Sequence, residues 1–375
     1  MCAHYCMFGA AVVGVGEVPC RPRYDGVDFR ELLYQAAKDA YRDAGITADD
    51  VDAVVSSGMD FLEGVSISDS YTPDQVGGRL KFNTLVAGDA LNAFIHACMM
   101  VATGVHEIVA VTAYSKQSDI INYYEILANQ LNPHTLRPLF PHPHVIAGLD
   151  AAAYLDRVGA DPWILSHVAV KNMGNALENP AAAYPAKMTV DEIEGSEVLA
   201  TPVKAGHVAR LCDYAAVVVV ARADSSRVGG RPVYMGGFGY GVGSSSMELS
   251  LRSWGEAGWV KPARRMMKGG MDVDLVEISE PYAHTELMIL SQLEVTDEKP
   301  HKMLLDGELA RDGILPVNVS GGCLGMGYPP NAAGLQRLVQ AVKLLRRDRW
   351  KTALIASPEN ELADAGSLVY LTVEV

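Results

Sequence analysis

The sequence has no paired cysteines, no long apolar run and no excess of positive charge. Its six cysteines, Cys2, Cys6, Cys20, Cys98, Cys212 and Cys323, are scattered without a CxxC pair or the spacing of a disulfide framework, so reduced thiols are expected. Cys2, His4 and Cys6 offer three potential ligands where a structural zinc site takes four, and no metal is expected there. No stretch reaches the ~18 consecutive apolar residues of a membrane helix. The opening MCAHYCMFGA lacks the basic and long apolar parts of a secretory signal, and the expected location is the cytoplasm. Acidic residues outnumber basic ones 45 to 31, a net charge of −14, which argues against broad nucleic-acid binding. The local run Lys261, Arg264, Arg265 and Lys268 remains either a solvated face or a contact for an anionic group.

With 375 residues and 49% apolar composition, the chain is long enough for two sizeable cores. Residues 315–346, LPVNVSGGCLGMGYPPNAAGLQRLVQAVKLLR, read as a short strand, a glycine-rich turn and a helix entered through Pro329 and Pro330. Leu335, Leu338, Val339, Val342 and Leu345 share one face at helical spacing, opposite Arg337, Gln340, Lys343 and Arg346. Gly321, Gly322, Gly325 and Gly327 permit positive φ or close approach. They deliver Tyr328 to a helix head, where backbone N–H groups favour developing negative charge.

Earlier in the chain, 10–15 reads as a small apolar strand. The GVGEVP that ends it has Gly14 and Gly16 but neither the third glycine nor the following helix of a dinucleotide fingerprint. Phe29, Leu32, Leu33, Ala36, Ala37, Ala40 and Ala44 form an apolar stripe that stops at Gly45. A second turn, helix and strand run from 83 to 112, with a helix from about Asp89 to Thr103. There Asp89 reads as an N-cap, and Cys98 lies mid-helix as a small apolar residue. Residues 117–202 read as a mostly loop and helical insertion, whose His142, His144 and His167, like the later His207, are taken as structural. Residues 213–223 read as a strand buried on both faces, and 227–231 as the boundary between halves 1–226 and 227–375.

VNVSGGCLGMGYPPNAAG resembles the asparagine, paired-glycine and GHPxGxxG signature of the thiolase superfamily, with Tyr328 at the histidine and Asn331 at the next glycine. The similarity extends across nearly the whole chain. It implies a duplicated α/β fold in five layers, αβαβα, with two mixed sheets and two central helices facing each other. The family's nucleophilic cysteine falls at Ala87 and its second cysteine near Ser357, so both sulfurs are missing. At the family's NEAF or HDAF corner the chain has Ser279, Glu280, Pro281 and Tyr282. The insertion is similar to the substrate-covering loop of thiolases related to sterol carrier protein.

Claisen chemistry needs a thiolate to carry the acyl group; retro-aldol cleavage of a β-hydroxyacyl-CoA needs only a base and a site for the enolate oxygen. The substitution pattern resembles the lipid-transfer-protein aldolases of steroid side-chain degradation, in which two tyrosines serve catalysis and a small zinc-ribbon/OB-fold protein associates. The resemblance therefore implies Tyr282 and Tyr328 as catalytic phenols that act as donor or base, with His284 as a competing acid or base and Glu280 orienting a tyrosine. Ser244, Ser245 and Gly322 are expected to contact coenzyme A, which enters as part of the substrate; no cofactor is expected. A homodimer is expected, as is a bulky acyl-CoA substrate. Two alternatives stay open: a catalytically silent subunit that assists an active partner, and an acyltransferase using a displaced nucleophile such as Cys323.

Overall fold

A computed structural model describes residues 9–64, 67–139, 142–243, 251–267, 271–347, 349–362 and 364–374. Its first half contains β1 (Ala10–Arg21), β2 (Ala53–Gly58), β3 (Phe82–Ala87) and β4 (Ile108–Ser115), a small hairpin of β5 (Val198–Ala200) and β6 (Val203–Lys204), and β7 (Asp213–Arg222). The second half contains β8 (Val233–Val242), β9 (Val276–Ile278), β10 (Thr352–Pro358) and β11 (Ala365–Thr372). The large sheet has the order β3-β2-β4-β7-β1-β8-β11-β10-β9.

That order contains the same arrangement twice. In the first half a parallel pair, β2 with β4, is followed by antiparallel β7 and then β1. In the second, parallel β9 with β10 is followed by antiparallel β11 and then β8. Even β3, which runs parallel beside β2, has its counterpart in a parallel bridge from Val276 to Val317. The two expected mixed sheets meet at β1 and β8, through the pairs Ala11 with Tyr234 and Val12 with Val233. β7 carries the continuous apolar run Ala215–Val220 and is buried on both faces, as such a run requires.

The glycines of GVGEVP serve packing. A Cβ at Gly14 or Gly16 would lie 2.3 Å and 2.1 Å from carbonyl oxygens of Ala40 and Ala36, so their absence lets the helix Phe29–Ala44 lie directly on β1. That helix ends at Gly45, φ 68°, as its stripe predicts.

Between the sheet halves lie the helices Ala90–Ala102 and Ala333–Leu345. Leu335, Leu338, Val339, Val342 and Leu345 are completely buried, each worth ~2 kcal/mol in area removed from water. Part of the polar side of the second helix is covered as well. Arg337 is fully buried with Glu277 at 3.2 Å, and Gln340 and Lys343 reach Glu17 at 2.8 and 2.6 Å. One side chain ties the two helix heads together: Asp89 accepts from Leu91 N at 3.0 Å and from Gly334 N at 2.8 Å. It caps its own helix and its neighbour at once.

The second helix begins at Ala333, later than Pro329, because Asn331 takes a left-handed conformation, φ 65°, that interrupts helical winding. The glycine-rich turn itself contains a short helix, Gly322–Met326. Within the insertion, the helices Tyr123–Leu127, Pro143–Val158 and Ile164–Asn175 are the ones that bear on the site. Among the described residues no helix is long and apolar enough to cross a membrane.

Candidate functional site

Tyr282 and Tyr328 are brought together by one short segment. Tyr282 occupies the N-cap position of the helix Ala283–Leu293, and its backbone bridges to Val208. Tyr328 follows the short glycine helix and bridges to Leu211; its N–H donates to Arg210 O at 2.8 Å, and its carbonyl accepts from Cys212 N at 3.1 Å. Two anchor points three residues apart along one strap can be separated by no more than about 10 Å. Both side chains are buried, at 2% and 4% exposure.

Glu361, in the loop after β10, is the polar centre between them. The Tyr123 hydroxyl lies 2.9 Å from both of its oxygens and shares its one proton between them, and Tyr328 hydrogen-bonds to it as well. An ionised carboxylate accepts only, so both phenols are the donors. Burial nevertheless pushes Glu361 up to about 7, outweighing the two phenols that favour its charge. The hydroxyl of Tyr282 lies 3.0 Å from His144 Nδ1. His284 stacks on its ring at 5.5 Å between centroids, and His144 meets it edge-on at 5.8 Å. Tyr124, His142 and His144 continue this aromatic group, with centroids 4.4–5.1 Å apart.

Burial keeps these groups uncharged at neutral pH. His144 and His284 are pushed down to about 4, and His142 is lowered. The phenols of Tyr282 and Tyr328 rise well above their usual value, first through burial and then through Glu361. A tyrosine base with a lowered pKa, one of the two roles expected from sequence, is therefore not what the site presents. The phenols are donors, and the group that titrates near neutrality is the carboxyl between them.

Two hollows border the cluster. A small one of about 40 Å³ is lined by Tyr282, His284, Pro358, Glu361, Asp150 and Arg252. A wider one of about 270 Å³ is lined by Tyr123, Tyr124, His142, Pro143 and Ile121. The Nδ1 of His284 has no hydrogen-bond partner among the described residues.

Glu280 is elsewhere. It accepts from Asn172 at 2.9 Å, Asn318 at 3.2 Å and the backbone N of Leu324 at 3.0 Å, and none of these partners is a tyrosine. Its task is to hold the glycine turn, with burial and the neighbouring Glu286 pushing it to about 7. Gly322 belongs to the same contact: at φ 56°, a Cβ there would lie 2.0 Å from Glu280 Oε1. Its missing side chain admits a carboxylate of this chain, which corrects the expected coenzyme contact. Ser244 and Ser245 lie outside the described residues, as do Cys2, His4, Cys6 and Lys268. Lys261 and Arg265 are exposed on the helix Val260–Met266.

Neither Cys323 nor Cys98 is placed as a displaced nucleophile. Cys323 is fully buried and its thiol is held well above the usual range by burial and Glu280. Cys98 is buried mid-helix with its thiol pushed up in the same way. Ala87 is the exposed end of β3. The following corner, Gly88 at φ 100°, has no space for a side chain, because Glu359 Oε2 lies 1.8 Å from where its Cβ would be. Glu359 also accepts from Asp89 N at 2.7 Å and is raised to about 8 by burial and Asp89. Ser357 hydrogen-bonds to Ser279 at 3.0 Å.

Sequence reasoning missed Tyr123, His144 and Glu361. The one local signal was PENEL after β10, which places two carboxylates just beyond the position of the family's second cysteine.

Comparison with known proteins gives the following relations. Residues 248–362 match the family described as Thiolase C-terminal domain-like. The acetyl-CoA acetyltransferase of Methanothermobacter thermautotrophicus is 27% identical over 362 residues, covering 92% of this chain and 93% of that protein. The 17-hydroxy-3-oxo-4-pregnene-20-carboxyl-CoA lyase of Mycobacterium tuberculosis is 25% identical, covering 96% of each. Among solved structures, the Ltp2-ChsH2(DUF35) aldolase superposes with a TM-score of 0.83 at 22% identity, covering 98% of each chain. The chain has the thiolase fold and is similar both to transferases and to lyases that carry it.

Proposed function

We propose that the chain is a carbon–carbon lyase that cleaves a bulky β-hydroxyacyl-CoA by retro-aldol chemistry, without a covalent acyl-enzyme. The observation that carries this reading is that Tyr282 and Tyr328, from the two altered family corners, both neighbour a buried carboxyl, with no reactive thiol beside it among the described residues. A buried, neutral phenol beside a hollow is a preorganised donor for an oxygen that gains negative charge as the Cα–Cβ bond breaks. Tyr282 borders that hollow, and its hydroxyl is oriented by His144. Tyr328 is turned toward Glu361.

The similarity to a steroid-CoA lyase supports a steroid side-chain thioester as substrate. The structural likeness to an aldolase solved with a DUF35 protein supports a small zinc-ribbon/OB-fold partner. A homodimer, a cytoplasmic location and the absence of any cofactor besides the substrate's own coenzyme A belong to the same proposal. The similarity to an acetyltransferase favours a second reading, acyl transfer. That chemistry requires a nucleophile, and the buried thiols of Cys98 and Cys323 are poor ones.

The test is incubation of the purified chain, alone and with a candidate partner, with a β-hydroxy steroid side-chain acyl-CoA, following ketone and shortened acyl-CoA. Tyr282→Phe removes the enolate donor and is expected to lower kcat by ~10²–10³; Tyr328→Phe is expected to lower it less. Unchanged rates in both variants would refute the assignment. If the chain forms no product with any partner, yet a partner thiolase depends on it, it is a silent subunit.

A further inference from the structure

We propose that Glu361 is the general base of the cleavage and that Tyr123 and Tyr328 hold it in place. This assignment rests on the aldolase reading and deepens it. Glu361 borders the same small hollow as Tyr282, so one carboxylate and one phenol face the same space from different segments. Its two oxygens are fixed by Tyr123 at 2.9 Å each, and Tyr328 adds a further donor. With its hydrogen bonds supplied by neutral phenols and no ion pair among the described residues, the carboxylate keeps the basicity that a Lys or Arg partner would take away. Its position near 7 suits a group that must be ionised before the reaction and acidic after it.

The step balances within the site. Glu361 takes the proton of the β-hydroxyl, and the O–H electron pair forms the new C=O. The Cα–Cβ pair passes into the thioester enolate, whose oxygen accepts from Tyr282. The Glu361 carboxylic acid then protonates Cα, releasing the ketone and the shortened acyl-CoA and restoring the carboxylate. No oxidant, reductant or metal takes part.

Several charged or titratable groups face Glu361. Tyr124 and Tyr282 feel its charge alongside Tyr123 and Tyr328, and His284, Asp150, Arg252 and Asp364 line the same hollow. Asp89, Glu280 and Glu359 are raised into a similar range, so the pH limb is assigned by the variant that removes it.

The experiment compares the wild type, Glu361→Gln and Glu361→Asp, each with its partner, on the β-hydroxyacyl-CoA, with kcat and KM measured from pH 5 to 9. Glu361→Gln is expected to lose ~10²–10⁴-fold in kcat with KM little changed, and to lose the acidic limb near pH 7. Glu361→Asp is expected to restore part of the rate and the limb. A wild type that cleaves while Glu361→Gln cleaves equally fast, with the same limb, overturns the base and leaves the aldolase standing. A loss in Glu361→Gln that Glu361→Asp does not relieve, with the limb unmoved, makes Glu361 structural and also overturns it. A wild type that cleaves nothing refutes the aldolase reading and the base with it.

Discussion

Asp89→Ala probes the joint between the two central helices. In the native chain Asp89 is 2% exposed and gives one oxygen to Leu91 N and the other to Gly334 N. Alanine removes a helix cap, at a cost of ~1 kcal/mol, and leaves the Gly334 N–H buried without its acceptor, at a cost of ~1–3 kcal/mol. The expected destabilisation is about 3 kcal/mol at pH 5. For a chain of 375 residues the unfolding entropy is ~0.8 kcal/mol/K near the midpoint, so Tm falls by ~4 °C.

The pH dependence has a definite sign. Burial raises the Asp89 carboxyl to about 6 from an ordinary 3.8. The folded state therefore holds its proton more tightly, and the contribution is fully present below 3.8 and lost as pH rises through about 6. Between pH 5 and pH 8 the difference is ~1.4 kcal/mol. Asp89→Ala should cost about half as much at pH 8, a Tm drop of ~2 °C. Thermal unfolding followed by circular dichroism at both pH values decides it. No drop at pH 5 would refute the double cap; a larger drop at pH 8 would refute the raised carboxyl, since the two N–H donors by themselves favour the ionised form.

Tyr123→Phe withdraws a donor from Glu361 and so raises its pKa further; the acidic limb of kcat/KM is expected to move to higher pH, and a limb that stays put or moves down counts against the contact. Gly322→Ala places a Cβ 2.0 Å from Glu280 Oε1 at φ 56° and is expected to cost ~3 kcal/mol or more by overpacking and backbone strain, measured as lost Tm or lost soluble protein. Treatment of the native chain with a thiol alkylator is expected to leave Cys323 unmodified and cleavage intact; rapid modification of Cys323 with loss of activity would revive acyl transfer.

The parts of the fold that were legible are those in which neighbours in sequence are neighbours in space. The apolar stripe of Phe29–Ala44, its Gly45 stop, the Asp89 cap and the apolar face around Leu338 all follow from helical spacing. The burial of Arg337 was not legible, because a polar helix face can be covered when another layer supplies Glu277. Tyr282 and Tyr328 were singled out because each stands at a marked corner of a known pattern. Tyr123 and His144 were not, since they lie in an aperiodic insertion and reach their partners across 238 and 138 residues. Glu280 was misread from its closeness in sequence to Tyr282: the chain turns at Pro281 and sends the carboxylate to Asn172 and Asn318. At Gly322 the glycine was correctly read as a close approach, but the approaching group is Glu280.

The most direct measurement is the cleavage of a β-hydroxyacyl-CoA in buffer free of coenzyme A, with ketone, shortened acyl-CoA and the intact mass of the chain quantified together. A retro-aldolase forms the two products one for one, with no added thiol and no mass adduct on the protein. Cleavage that starts only when free coenzyme A is supplied, or an acyl group found on a cysteine, would contradict the account.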